Sequence, residues 1–181
     1  MTMNDLPYRW LIAPAITIAA SGVHAAQYLS VEEAQRLMFP DAVQFESRLV
    51  KLSAEQKAAI ETKSGVRVRQ PEQKVWAARA PDRLLGWFIV DEVFGKHEFI
   101  TYAVALDTEG TVRQIEVMNY RESYGYEIRK PEWRSQFTGK TRSDPLKLEA
   151  DIKNISGATL SCVHITDGVR RLLALHAVAL R

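Results

Sequence analysis

Three hydroxyl residues lie close together near the end of the chain, in "SGATLS": Ser156, Thr159 and Ser161. The run that follows, "VHITDGVRRLLALHAVAL", places Ile165, Val169, Leu172 and Leu173 at helical spacing and predicts a long amphipathic helix. A helix start leaves backbone N–H groups without intrahelical partners and carries the positive end of the macrodipole, so it suits an anion. Ser156 is placed to be the N-cap, with Gly157 and Ala158 in the first turn. A cap needs only that serine, which leaves Thr159 open to a second role. As a nucleophile, threonine is poor unless a base activates it. Elsewhere the chemistry is sparse. His24, His97, His164 and His176 fall in no metal-ligand spacing, and Cys162 with His164 lacks nearby partners for a zinc site. There is no GxSxG, no Walker loop and no GxGxxG, so hydrolase and nucleotide-binding classes find no motif here.

The elements that must position "SGATLS" are readable as an α+β fold: an antiparallel sheet flanked by helices, with the long C-terminal helix after the motif. Ser30 and Glu33 have capping-box spacing ahead of a short helix whose Val31, Ala34, Leu37 and Met38 share a face. "DAVQFESRLVKL" reads as a strand. Ser53 and Gln56 cap a second helix that Gly65 can end. Another extended piece, "EQKVWAARA", lies between Pro71 and Pro81. From Leu84 onward the pattern turns to β: "RLLGWFIVDEVFG" is a buried strand, and Ile100, Tyr102, Val104 and Leu106 alternate with smaller or polar residues. "DTEG" supplies a turn at Gly110, and "TVRQIEVMNY" returns as the antiparallel partner. "KPEWRSQFTGK" predicts a helical turn between Pro131 and Gly139.

On these residues the chain resembles the FMN-binding domain family, found in subunits of the sodium-pumping quinone reductase, the Rnf complex and small exported redox proteins. "NISGATLS" is similar to the family's flavinylation motif, and "YAVALDTEGTVRQIEVMNYRESYGYEI" to its hairpin and flavin loop. The resemblance covers residues 84–181, which it makes the FMN-binding domain, and leaves 26–83 as an N-terminal helix and strand segment. It implies that Thr159 is joined through its hydroxyl to the phosphate of FMN by a separate flavin transferase. It further implies cofactor contacts from Ser156, Gly157, Ala158, Ser161, Glu122, Ser123, Tyr124 and Gly125. Two departures stand out. Lys153 occupies the position, three before the serine, where the family commonly has an acid, with Asp151 two residues earlier; this points to weaker recognition by the transferase. The Glu-Thr-Pro-Gly loop becomes Glu122, Ser123, Tyr124, Gly125, keeping its ends and changing its middle.

An isoalloxazine ring needs an apolar slot with a few orienting polar groups. Tyr124, Tyr126, Trp133 and Phe137 are candidates to flank it, and Glu122 and Arg121 to hydrogen-bond it or its ribityl chain. Trp133 and Phe137, four apart, are equally a core-facing helical pair. The first 25 residues read as a signal peptide: a polar start ending in Arg9, the apolar "WLIAPAITIAASG", and small residues before a cut after Ala25. The apolar stretch is short of the roughly 20 residues that span a bilayer. With one cysteine, Cys162, no intramolecular disulfide forms, and a small buried hydrophobe is expected there. A net charge of +2, from 24 basic and 22 acidic residues, makes no case for nucleic acid. The expected function is a periplasmic electron carrier with covalent FMN, exchanging electrons with a membrane or periplasmic redox partner. The alternatives are an exported non-redox binding module of the same fold and a self-sufficient flavin reductase.

Overall fold

The computed structural model describes residues 26–180, so the expected signal peptide lies outside the described residues. Six strands form one antiparallel sheet: β1 (Ala26–Gln27), β2 (Gln44–Lys51), β3 (Glu72–Arg79), β4 (Leu84–Phe94), β5 (Phe99–Leu106) and β6 (Val112–Tyr120). Their order is β1-β6-β5-β4-β3-β2. Apart from the short β1, neighbours in the sheet are neighbours in sequence, with α2 (Ala54–Ser64) inserted between β2 and β3. Residues 26–83 therefore place β1, β2 and β3 in the same sheet as the strands of the C-terminal part.

Both faces of the sheet are covered. On one, α1 (Val31–Met38) packs Ala34, Met38 and the following Phe39 onto Ala78, Phe88, Ala103, Ala105 and Met118. The small alanines of β5 let this short helix approach. Its capping box is present as expected, with Glu33 N–H donating to Ser30 Oγ and Ser30 N–H to the Glu33 carboxylate. Leu37 departs from expectation: it is 51% exposed, and Gln35 is buried instead, because contact runs through Ala34, Met38 and Phe39.

The other face holds the main core. Ile100, Tyr102, Val104 and Leu106 of β5 point into it, each 0% exposed, against α2 (Ala54–Ser64) and α4 (Thr159–Leu175). From α4 come the predicted stripe, Ile165, Val169 and Leu172 at 0% and Leu173 at 2%, and with it Cys162 at 0%. A short helix, α3 (Pro131–Arg134), lies between β6 and α4. Two close contacts fix α4 over the sheet. A Cβ at Gly168 would stand 2.0 Å from the Tyr102 hydroxyl, so only glycine lets the helix come this near. Beside it Tyr102 donates to Asp91 at 2.5 Å, and Arg171 of α4 pairs with the same carboxylate at 2.6 Å. Burial pushes the Cys162 thiol up to about 11, which leaves it an inert core group. No helix among the described residues is long and apolar enough to cross a membrane.

Candidate functional site

The start of α4 differs from its sequence reading in one respect. Ile155 to Ala158 form a β-turn, closed by Ala158 N–H donating to the Ile155 carbonyl at 3.0 Å, with Gly157 at φ +83°. A positive φ at that place is what glycine supplies. The turn takes up Ser156, so the helix begins at Thr159 and its N-cap is Ala158, without a side-chain cap bond. Ser156 is thus not the cap; its hydroxyl sits on the exposed corner of the turn. The first intrahelical bond runs from Cys162 N–H to Ala158 C=O at 3.0 Å. The N–H groups of Thr159, Leu160 and Ser161 precede it at the positive end of a 17-residue helix.

The loop after β6 is bound to this helix start. Gly125 has φ +85°, and a Cβ there would lie 2.2 Å from Ala158 Cβ and 2.9 Å from the Tyr120 hydroxyl. Small residues at 125 and 158 therefore let two segments far apart in the chain touch. Tyr120 clamps the loop by donating its hydroxyl to the Tyr124 carbonyl. Gly125→Ala should cost about 2 to 4 kcal/mol, combining a left-handed φ on a non-glycine with overpacking. A thermal melt would register this as a lower Tm, and an unchanged melting curve would contradict the contact.

The Glu122 carboxylate, read from sequence as a hydrogen-bonding partner for a ligand, is engaged by backbone donors. It accepts the N–H groups of His97 at 2.7 Å and Glu98 at 3.2 Å, and the residue is buried against the β4–β5 turn. A Cβ at Gly95 would stand 2.4 Å from that carboxylate, so the glycine of "FGKH" makes room for it. Burial acts to raise the Glu122 pKa. The N–H groups of His97, Glu98 and Lys96, with the His97 charge, outweigh it and hold the carboxyl below 4.5. A depressed folded value gives stability that is complete above 4.5 and is lost as pH falls through the lower folded value. Glu122→Gln should therefore melt below wild type at pH 7 by about 1 to 3 kcal/mol, the worth of hydrogen bonds to a charged group. Melts repeated toward pH 3 should see this difference close; a constant gap would refute the linkage.

Together the loop, the hairpin and the helix start enclose a cleft of about 340 Å³. Its walls include Glu122, Ser123 and Tyr124 from the loop and Gly157, Ala158, Thr159 and Ser161 from the helix start, all expected from sequence. Ser156 and Gly125 do not line it; Gly125 serves instead as the junction described above. Four lining residues escape the sequence reading: Lys96 and His97 on the hairpin, Tyr120 at the end of β6, and Leu160. The glycine in "FGKH" is the available signal for the hairpin, since an extra glycine at a strand end marks a close approach. Among the aromatic candidates Tyr124 is exposed in the cleft, whereas Tyr126 leans on Tyr120 with ring centroids 5.7 Å apart. Trp133 and Phe137 resolve to the core reading: both are buried, 5.1 Å apart edge to face, and the Trp133 indole donates to the Lys153 carbonyl at 2.8 Å. Arg121 is exposed and outside the cleft lining.

The acidic position of the motif is not filled from elsewhere. Asp151 pairs with Lys140 at 2.9 Å and accepts the N–H groups of Leu146 and Lys147, so it folds its own loop. Lys153 is exposed on a backbone held by Gln136 and Trp133.

An exposed hydroxyl at an uncapped helix N-terminus, facing a cleft with two basic side chains, defines a domain suited to holding a phosphate-bearing group at that helix start. Residues 95–174 match the family model of the FMN-binding domain, the family that the motif and the loop resemble. No curated protein matches the chain. Among solved structures, NqrC of Shewanella oneidensis is similar at 16% identity and a TM-score of 0.51, covering 75% of this chain and 80% of its own. A subunit of the Na(+)-translocating NADH-quinone reductase of Parabacteroides distasonis is similar at 16% identity and a TM-score of 0.53, covering 86% of this chain and 87% of its own. At this identity the likeness establishes the shared fold.

Proposed function

We propose that this chain is an exported electron-transfer flavoprotein carrying FMN in phosphoester linkage on Thr159. The observation that carries the reading is the exposed Thr159 side chain at the uncapped start of α4, lining the cleft within the family-matched segment. A phosphodiester there keeps about one negative charge beside free N–H groups and the helix dipole, an arrangement worth a few tenths to about one kcal/mol at an exposed site. The residues present fit the group. Lys96 supplies positive charge, His97 an imidazole, Tyr124 and Leu160 apolar surface, and Ser123 and Ser161 hydroxyls. When bound, FMN supplies reversible electron transfer that no side chain of the chain offers. The protein's part is to hold it covalently, so that it is not lost outside the cytoplasm, and to leave it reachable through the cleft mouth.

The corresponding partners are a flavin transferase for maturation and a redox protein in the membrane or periplasm. Purified from its own host, the protein should be yellow and stay so after denaturation and desalting. Colour that washes away would instead favour loosely held flavin. Export with cleavage after Ala25 belongs to the same proposal, and N-terminal sequencing of the exported protein should begin at Ala26. Retention of "WLIAPAITIAA" in the mature form would rule out that cleavage site.

A further inference from the structure

We propose that Asn154 is the positioning residue for the acceptor hydroxyl, an inference that rests on the flavinylation reading above. Its side-chain amide donates from Nδ2 to Thr159 Oγ1 at 3.1 Å. At the other end of the same amide, Oδ1 accepts the Ile155 N–H at 2.9 Å. That second bond fixes which end faces the threonine, because a reversed amide would set its NH₂ against the Ile155 donor. The residue just before it is anchored to the core. Lys153 N–H donates to Gln136 Oε1 at 2.7 Å, and its carbonyl accepts from the buried Trp133. Asn154 is therefore a donor set in advance toward one lone pair of Thr159, leaving the hydroxyl hydrogen and the other lone pair for an incoming reagent.

The chemistry gives this arrangement a consequence. With a flavin adenine dinucleotide as donor, Thr159 Oγ1 bonds to the flavin-side phosphorus, and the bond from that phosphorus to the bridging pyrophosphate oxygen breaks. AMP leaves with that oxygen, the hydroxyl proton passes to a base on the transferase, and no electrons change hands. Negative charge grows on Oγ1 as the proton departs, so a donor already aimed at it is strengthened along the reaction. Asn154 cannot take the proton itself, since an amide is no base and its oxygen is engaged.

The test uses purified transferase and flavin adenine dinucleotide, following FMN mass gain at several concentrations of wild type, Asn154→Ala and Asn154→Asp. The alanine variant should lose about tenfold to a hundredfold in kcat, the rate equivalent of one charge-assisted hydrogen bond, with KM unchanged. Its Tm should fall by no more than a few degrees, the cost of the single lost bond from the Ile155 N–H, so that a fully folded variant separates positioning from folding. The aspartate variant, lacking the donor and adding negative charge where the phosphates arrive, should be slower still. An unchanged kcat in Asn154→Ala, or an effect carried wholly by KM, overturns the positioning role. A wild type that gains no FMN overturns the flavinylation reading and this inference with it, whereas a loaded wild type with an equally fast alanine variant overturns only the inference.

Discussion

Thr159→Ala should gain no FMN under conditions in which wild type gains the mass of FMN less one water, the all-or-none outcome expected when the proposed acceptor oxygen is deleted. The neighbouring hydroxyls are poor substitutes. Ser161 is 3% exposed, and Ser156 lies on the far corner of the Ile155–Ala158 turn without lining the cleft. Thr159→Ser keeps the oxygen and should retain modification. Ser156→Ala is the informative control. Because Ser156 makes no cap bond, its loss should stay within about 0.5 kcal/mol of wild type, as for ordinary surface changes, and leave flavin attached. Lys153→Asp restores the acid that the family commonly has there and should raise the extent of loading. Mass spectrometry of the intact proteins reads all four, and yellow colour surviving denaturation in Thr159→Ala would refute the attachment site.

Asp91→Ala should destabilise the fold by about 3 to 5 kcal/mol, the range for removing one partner of a buried ion pair. Asp91 and Arg171 are only 10% and 15% exposed at their side chains, and the same carboxylate accepts from the fully buried Tyr102. Burial works against the Arg171 charge, but Asp91 beside it outweighs this and holds the guanidinium above its ordinary value. Tyr102 is pushed well above the usual phenol range, first by burial and then by Asp91, so it remains a neutral donor. Without Asp91 the guanidinium of α4 loses its counter-charge in the core, and Tyr102 loses its acceptor. At roughly 2 to 4 °C per kcal/mol for a chain of this size, Tm should fall by about 6 to 20 °C. Adding Arg171→Leu to the same chain should recover part of the loss, since a buried pair is often replaceable by apolar groups though not by half a pair. A fall of less than about one degree would mean the pair contributes nothing to holding α4.

The sequence by itself determined those parts of this protein that are encoded over a few residues. Ser30 with Glu33 and Ser53 with Gln56 start their helices as read, and Gly65 and Gly110 take positive φ where a C-cap and a turn require it. The strands of residues 84–120 and the apolar stripe of α4 follow from hydrophobic period alone. The motif at Ser156 to Ser161 is local too, and it points to the family without help from the fold. Tertiary structure decided what depends on segments distant in the chain. Only the antiparallel register brings the hairpin with Lys96 and His97 beside Glu122, and only the packing of α4 brings Ala158 onto Gly125. Trp133 and Phe137 could face either core or cofactor by spacing, and the sheet behind them settled it. Ser156 departs from its expected role as cap for a related reason. Capping rules see a serine ahead of a helix, but here the glycine beside it closes a turn and moves the helix start to Thr159, placing the hydroxyl residue itself at the positive end of α4.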